Sequence, residues 1–398
     1  MFFRNFSEDQ EPFLNNKTIF ARKYFNMAKS EFKVYGSRWL ILAVYMFMVA
    51  VNQLLWITFA PITGDATKYY GVSDLKIGIL SMCFMIVYIV VSIPASWIID
   101  KYGIRIGVGI GAIFTGIFGL IRGFAGPDYN WLLIAQIGVA VGQPFILNAI
   151  TKLAARWFPM EERATAAGLG TLAMYIGILA GMTLTPYLII GSGIGGMLYI
   201  YGIISIVTTV VFLILIKEGP PTAPCRPDQE ERSLVFDGFM QTIRTKDFIW
   251  LMVIFFIGLG VFNSVTTWIE DIMRPRGFSA TQAGITGGIM IAGGIIGALI
   301  IPILSDRYRR RTPFIIIALI GATLGLTGIT FATQYWLLLT SGMVLVFFLL
   351  SSVPIGFQSG PEITYPASDG TSNVLLLMLG QLSVIAFIFA LDLFKSAK

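Results

Sequence analysis

Histidine is absent from this 398-residue sequence, and cysteine occurs only twice, at Cys83 and Cys225. The missing imidazole removes the commonest metal ligand and the commonest general base near pH 7, so zinc hydrolysis and histidine-assisted nucleophilic catalysis are not expected. Cys83 lies in an apolar stretch and Cys225 in a polar loop, which favours neither a disulfide framework nor a cysteine metal site. We therefore expect no enzyme, no catalytic residues, no cofactor and no metal site.

Charge is also scarce. Only 13% of the residues are charged, whereas a soluble globular domain carries about 25%. Apolar residues make up 56% of the chain, and apolar stretches of about twenty residues, the length that crosses a bilayer, recur almost end to end. The composition therefore predicts an all-α polytopic membrane protein.

Apolar runs bounded by charge, glycine or proline predict eleven spans, and the first 38 residues read as a cytosolic tail without a cleaved signal peptide. The expected division is a tail (1–38), a six-span half (39–216), a cytosolic linker (217–247) and a second half with five visible spans (248–398). The spans are expected at 39–62, 75–99, 105–124, 131–154, 164–190, 194–216, 248–268, 281–303, 313–332, 335–357 and 371–394.

Lysine and arginine are distributed unevenly between the predicted loops. With the N-terminus inside, the inner segments hold 21 of the 28 cations, and the outer loops hold only five. This bias predicts a cytoplasmic N-terminus in the cell membrane. It also attributes the net charge of +6 to topology and to attraction by inner-leaflet lipids, so no nucleic-acid partner is expected, and we expect a monomer. The outer-loop cations are expected to be Lys68, Lys76, Arg122, Arg274 and Arg276.

Two motifs recur at half-chain spacing. Asp100-Lys-Tyr-Gly-Ile-Arg105 is echoed 206 residues later by Asp306-Arg-Tyr-Arg-Arg-Arg311, and Phe158-Pro159 is echoed 207 residues later by Tyr365-Pro366. The halves are thus expected to be parallel repeats. Six spans per half would require a twelfth, so we expect a truncated or partly represented C-terminus.

The linker has apolar positions at helical spacing, which suit a short helix on the inner membrane surface, the alternative being a disordered tether.

The repeated acidic and basic motif predicts a conformational latch at the inner ends of the spans. An aspartate there can face the positive N-terminus of a neighbouring helix, while the cations pair with acidic groups across the half, and such contacts can break as the halves rock. The alternative is ordinary positive-inside charge, which does not explain the repetition. The expected latch residues are Asp100, Lys101, Gly103, Arg105, Asp306, Arg307 and Glu362.

This motif resembles the signature of the major facilitator superfamily, which implies two pseudo-symmetric six-helix halves and alternating access. Two positions depart from it: Ser96 stands for the usual first glycine, and Arg309 for the glycine of the second copy. The departures predict a latch that is looser or polarised between the halves.

Further motifs resemble the feline leukaemia virus subgroup C receptor family from span 1 to span 11. That resemblance implies a transporter, since members are implicated with choline, ethanolamine and haem, and more distant relatives carry other small solutes. The motifs are Arg38-Trp39, Asn52 and Trp56, Pro94-Ala-Ser-Trp-Ile-Ile-Asp100, Gly142-Gln-Pro-Phe-Ile-Leu147, Ala155-Arg-Trp-Phe158 and Glu362-Ile-Thr-Tyr-Pro366.

A substrate site is expected near mid-membrane, between the repeats, on spans 1, 5, 7 and 11. The 207-residue offset pairs Trp56 with Asn263 and Met174 with Gln381, and Tyr175 is adjacent. A tryptophan face can hold a quaternary ammonium by cation–π attraction worth about 2 kcal/mol when desolvated. Gln143 and Asn52 are further candidates.

The resemblance assigns substrate contacts to Trp56 and Gln381. It departs at two positions, where a family tyrosine of span 7 is Asn263 and a family glutamine of span 5 aligns with Tyr175. One aromatic is lost and another gained, so a rearranged aromatic cage is expected.

Each candidate also has a structural alternative. Trp56 could anchor the helix at the membrane interface or serve packing, and Gln381 could join helices. Gln143 and Asn148 could satisfy a kink at Pro144. Glu362 suits a gate or loop pair better than a proton carrier.

Away from their ends, the predicted spans carry no Asp, Glu, Lys or Arg at mid-depth. Charges inside membranes usually mark proton relays or charged-substrate sites. A facilitative transporter of a neutral or lone-cation solute is therefore favoured. The alternatives are a proton-coupled exporter or importer of another small solute and a non-transporting receptor on the same fold.

Overall fold

A computed structural model describes residues 34–222, 244–308, 310–364 and 369–396. All regular elements in these ranges are helices. They are α1 (Ser37–Ile57), α2 (Thr63–Tyr70), α3 (Asp74–Tyr102), α4 (Ile104–Phe124), α5 (Tyr129–Leu147), α6 (Ile150–Trp157), α7 (Met160–Leu215), α8 (Lys246–Thr267), α9 (Ile269–Met273), α10 (Ala280–Tyr308), α11 (Thr312–Phe331), α12 (Tyr335–Thr364) and α13 (Asp369–Ser396).

Nine of the described helices are long and apolar enough to cross a membrane. One of them, α7, contains two spans, because Gly193 breaks it with a φ of 69° that favours glycine. The last helix, α13, adds a shorter apolar core at Leu375–Phe387. The described residues thus hold nine spanning helices, one of them divided at Gly193, and a shorter apolar segment in α13, where the sequence predicts eleven spans. Helices α1–α7 and α8–α13 form the two halves.

The internal repeat is visible in the helix boundaries. Both α3 and α10 have 29 residues, and their first residues, Asp74 and Ala280, stand 206 positions apart. The first span of each half also ends in a broken helix. Pro61 lies in a short 3-10 turn after α1, and Pro275 lies in another after α9. Proline has no N–H to continue a helix, which fits the end of the helix before each turn.

The buried side chains form one shared core and two separate ones. We call the membrane face at which α1 begins and α3 ends the basic face, and the opposite one the far face. The largest core lies toward the far face and combines both halves, with Trp56 and Tyr175 from one and Phe262 and Ile291 from the other. Toward the basic face, each half has its own core. The halves therefore share apolar packing mainly at the far face.

Several sequence expectations lie outside the described residues. These are most of the N-terminal tail, the amphipathic part of the linker at 223–243, Arg309 and the Tyr365-Pro366 motif.

Candidate functional site

Trp56 lies one residue before the end of α1 and is buried, with 3% of its surface exposed. Its indole N–H donates to the backbone carbonyl of Ser81 in α3, at 3.2 Å. The polar edge of the ring is thus used by the protein itself. What the ring can still offer a ligand is its π face.

Tyr175 and Met174 occupy the first half of α7. Tyr175 is buried in the same apolar cluster as Trp56, and Met174 packs against that cluster. No hydrogen bond to the Tyr175 hydroxyl forms among the described residues. The cluster also includes Phe262 and Val384, which are close in sequence to the two candidates of the other half.

Those two candidates, Asn263 and Gln381, are half-buried on α8 and α13. The Asn263 amide donates to the carbonyl of Leu259 in its own helix, at 2.9 Å. The Gln381 Oε1 is buried and accepts no hydrogen bond from any described residue. An unmet buried acceptor costs about 1 to 3 kcal/mol. Gln381 therefore offers an acceptor to a ligand.

Asn52 and Gln143 are buried within the N-terminal half. Asn52 donates to the Thr115 hydroxyl at 3.1 Å, which joins α1 to α4. Near Pro144, the neighbouring Asn148 accepts from the Tyr88 hydroxyl at 2.7 Å. These contacts give Asn52 and Asn148 structural roles in holding helices together.

The far face holds a charged contact between the halves. Arg274, after α9, donates to Asp74 at the start of α3, with 2.8 Å between nitrogen and oxygen. The same guanidinium pairs with Glu270 and Asp271. Glu270 in turn accepts the backbone N–H of Gly64 in α2, at 3.0 Å. We call Asp74, Glu270, Asp271 and Arg274 the far-face cluster.

Burial raises the pKa of the Glu270 carboxyl, while Arg274 and the Gly64 N–H oppose that rise. Two of the three carboxylates in the cluster are almost fully buried. The cluster is thus an ion pair network that closure of the far face has taken out of water, and it depends on Arg274 for its positive charge.

Glycines bring the helices of the two halves together beside this cluster. A Cβ added at Gly284 of α10 would lie 2.5 Å from the Met182 carbonyl oxygen and 2.7 Å from Pro186 Cγ of α7. One turn on, a Cβ at Gly288 would lie 3.9 Å from the Cβ of Thr183. Side chains larger than hydrogen at Gly284 would hold the halves apart.

At the basic face the N-terminal latch residues pair within their own half. Asp100 pairs with Lys152 at 3.4 Å. The start of α4 is met instead by Glu218, which accepts the Arg105 N–H at 2.9 Å and pairs with Arg156 at 3.4 Å. Asp100 thus contacts Lys152 in the first turn of α6, while Glu218 occupies the start of α4.

Two other expected latch residues have local roles. Gly103, with a φ of 90°, makes the turn between α3 and α4. The Lys101 ammonium lies 4.7 Å from the centre of the Trp97 ring. Neither contact reaches the other half.

The C-terminal latch is built differently. Arg311 donates to Asp306 and also to Glu362, the latter at 3.1 Å. Arg307, which we expected to share this role, is exposed and has no ion pair among the described residues. The repeat explains the contrast. Arg311 stands 206 residues after Arg105, and Glu362 stands 206 after Arg156. In the first half the two positions are both cations, Arg105 and Arg156, and Glu218 contacts both of them. In the second half the corresponding residues, Arg311 and Glu362, pair directly.

Arg122 corrects a further expectation. The charge distribution predicts an outer-loop position for Arg122, but Arg122 lies within α4 and only 1% of its surface is exposed. Its Nη1 donates to the Leu55 carbonyl at 3.0 Å.

Sequence reasoning missed the roles of Asp74, Glu270, Arg274 and Glu218. Glu270 and Arg274 have the i, i+4 spacing of a helical ion pair, which was a usable signal. The partner Asp74 lies 200 residues away in sequence and had no such signal.

A family model of the Major Facilitator Superfamily matches residues 41–388. Among curated proteins, Solute carrier family 49 member A3 of Xenopus tropicalis is 29% identical over 401 residues, which cover 96% of this chain and 82% of that protein. Choline/ethanolamine transporter FLVCR2 of Homo sapiens is 25% identical over 378 residues, covering 90% and 72%. The second relative agrees with the resemblance to the feline leukaemia virus subgroup C receptor family.

Two solved structures of a bacterial homologue of the human lysosomal transporter Spinster share the fold. Both superpose with a TM-score of 0.71 and cover 90% of this chain and 82% of theirs, at 18% and 16% identity. Both are described as inward-facing, one unoccupied and one occupied. The family match over most of the chain, together with this fold, shows that the chain is a multi-pass secondary transporter of a small solute and belongs to the major facilitator superfamily.

Proposed function

We propose that this transporter carries a small organic cation bearing a hydroxyl group, of the choline or ethanolamine type, by facilitated alternating access. The observation that carries the proposal is the buried Gln381 Oε1, an acceptor without a donor. Further support comes from relatives named choline/ethanolamine transporters. A hydroxyl group on the solute would supply the missing donor.

The aromatic residues suit the other end of such a solute. A quaternary ammonium has no N–H to donate, so it is best held by ring faces, at about 2 kcal/mol for a desolvated contact. Trp56 has its N–H already bonded and Tyr175 is buried beside the same cluster, so both rings can act in this way. The Asn263 amide nitrogen is also used, which leaves its oxygen for the N–H of a primary ammonium.

Facilitated transport is supported by the lack of carboxylates at the candidate residues. Trp56, Tyr175, Met174, Asn263, Gln381 and Gln143 are all uncharged. A proton-coupled carrier would need a titratable group near the solute. We therefore expect uptake to be insensitive to a pH gradient, and strong proton dependence would exclude this part of the proposal.

We also propose that the basic face is cytoplasmic, that the N-terminus lies in the cytosol of a cell with the transporter in its surface membrane, and that the chain works as a monomer among membrane lipids. The distribution of lysine and arginine supports this orientation. In that orientation the described conformation is closed toward the outside. The latch residues Asp100, Arg105, Asp306 and Glu362 would then bias the open and closed states of the cytoplasmic side.

Uptake of radiolabelled choline into proteoliposomes tests the proposal directly. Trp56→Ala should reduce uptake by about tenfold or more, since it removes the desolvated cation–π contact. The matched control is Trp250→Ala on α8, whose ring is 69% exposed on the outer surface of the bundle. Equal uptake and unchanged affinity in Trp56→Ala would remove Trp56 from the site.

A second comparison isolates the hydroxyl contact. Gln381→Leu should weaken competition by choline but leave competition by tetramethylammonium, which lacks the hydroxyl, nearly unchanged. An equal loss for both cations would assign Gln381 to joining helices. Failure of the wild-type protein to transport any of the tested cations would overturn the solute class.

A further inference from the structure

The N-terminal half contains a buried cation that forms no ion pair with any residue the structure describes. Arg122 lies two residues before the end of α4, and its side chain is among the largest fully buried ones in the described chain. Arginine keeps its charge at neutral pH. A buried charge is costly unless an opposite charge and hydrogen bonds compensate for it.

The protein compensates for only part of this charge. Nη1 donates to the Leu55 carbonyl at 3.0 Å, and the guanidinium carbon lies 5.5 Å from the centre of the Phe59 ring. The Nε and Nη2 atoms have no hydrogen-bond partner among the described residues. A carbonyl dipole and a ring face each supply only partial negative charge.

Two other buried polar side chains near Arg122 also have atoms without a hydrogen-bond partner among the described residues. The Tyr70 hydroxyl has no described partner, and its ring lies 6.4 Å from that of Phe59, the ring beneath the guanidinium. Gln136 donates to the Leu80 carbonyl at 3.1 Å and, at 3.5 Å, to the same Leu55 carbonyl that Arg122 binds. Its Oε1 is left without a donor. Besides the two guanidinium nitrogens, the Tyr70 hydroxyl and Gln136 Oε1 are therefore buried polar atoms without a described partner.

Neighbouring residues do not neutralise the guanidinium. The side chains that act on it electrostatically are Tyr70, Cys83 and Tyr201, and none of them is a carboxylate. The Tyr201 hydroxyl is already paired with Thr185 at 2.9 Å. What the site lacks is a full negative charge that can accept from two guanidinium N–H groups and a phenol.

We propose that Arg122 and Tyr70 bind a small monovalent inorganic anion, with chloride as the physiological occupant. The anion accepts from Nε, Nη2 and the Tyr70 hydroxyl, and a water bound to it donates to Gln136 Oε1. A chloride ion supplies the missing charge without a proton of its own.

The site connects to the candidate solute site through the backbone. Arg122 and Gln136 both hold the carbonyl of Leu55, the residue before Trp56, near the point at which α1 ends. Anion binding thus fixes the donors that position Trp56. Anion binding itself can be measured without a transported solute.

Thermal unfolding of the purified full-length chain tests the proposal, with chloride titrated against gluconate at constant ionic strength. The wild-type midpoint should rise by several degrees and saturate, because a ligand that binds only the folded state stabilises it. Bromide should replace chloride. Arg122→Gln should lose the saturable rise. Arg276→Gln is the matched control and should keep it, because the hydrogen bonds of Arg276 to described residues all go to backbone carbonyls at the end of α11.

Tyr70→Phe keeps the ring and removes one donor, so it should raise the half-saturating chloride concentration by about tenfold. This variant decides the question if Arg122→Gln does not fold. A wild-type midpoint without a saturable halide response would overturn the proposal and leave water as the occupant. An unchanged half-saturating concentration in Tyr70→Phe would overturn it as well.

Discussion

The two faces of the transporter use their charges in opposite ways. At the far face, Arg274 of the C-terminal half binds Asp74 of the N-terminal half, and Glu270 binds the Gly64 N–H across the same boundary. At the basic face, the described ion pairs stay within a half, with Asp100 on Lys152 and Arg311 on Glu362. The apolar cores show the same difference, since the far-face core combines both halves, whereas each half has its own core toward the basic face.

The difference shows which contacts must break during a transport cycle. Opening the far face has to separate the far-face cluster and the packing of α7 on α10. The pairs at the basic face can persist, since they hold each half together. Perturbations of the far face should therefore change the distribution of conformations, while equivalent changes at the basic face should alter mainly local stability.

The largest effect is expected from Gly284→Val. The added side chain would meet the Met182 carbonyl and Pro186, so the far face cannot close and uptake should fall by about tenfold or more. The control is Gly168→Val, since a Cβ at Gly168 meets nothing within 4 Å. A Thr63→Cys reporter, 3% exposed when the face is closed, should become reactive toward a membrane-impermeant thiol reagent. Normal uptake with a protected reporter would contradict the close approach.

A smaller effect is expected from Arg274→Gln. It removes the Arg274 charge that pairs with three carboxylates, and since Arg274 is about one third exposed we expect a cost of about 1 to 2 kcal/mol. The Thr63→Cys reporter should react about tenfold faster. Arg276→Gln, which breaks no ion pair in the described chain, should leave the rate unchanged. Similar rates in both variants would show that the cluster does not hold the face closed.

Acidification should shift the equilibrium between the open and closed far face toward the closed state by a few-fold. Burial raises the pKa of Glu270 in the closed state, whereas an open face returns the carboxyl to water and to its ordinary value of about 4.3. The closed state thus binds the proton more tightly, and lowering the pH through the raised pKa favours it. Reporter reactivity, corrected for thiol ionisation, should fall on acidification in the wild type. The response should vanish in Glu270→Gln, and its persistence there would assign it to another group.

The smallest effect is expected from Glu362→Gln at the basic face. Its side chain is 57% exposed and pairs within its own half, so the loss should be below about 1 kcal/mol. Far-face reporter reactivity should stay within about twofold of the wild type. A change as large as that of Arg274→Gln would erase the proposed difference between the faces.

Local periodicity was enough to predict much of the fold. The apolar runs located the nine spanning helices, and the motif spacing of 206 residues reappears between the first residues of α3 and α10. Both features can be read from a single sequence, because an apolar run consists of neighbouring residues and a repeat shows as similar motifs at a fixed spacing.

The contacts between helices were not predictable in the same way. Asp74 meets Arg274 across 200 residues. Arg122 was read as a loop cation because a charge near a span end usually reaches water, whereas here α4 continues past it and neighbouring helices cover it. Glu218 binds the start of α4 because the chain after α7 returns to that point. Such pairings follow from how helices pack, which periodicity does not encode.

The most direct test of alternating access joins the halves at the far face with a disulfide. Thr183→Cys and Gly288→Cys, in a background lacking Cys83 and Cys225, place their Cβ atoms about 3.9 Å apart, which suits a disulfide. Oxidation of the double variant should abolish choline uptake, reduction should restore it, and neither single variant should respond. Full uptake with the disulfide formed would show that the far face need not open, which would contradict the account.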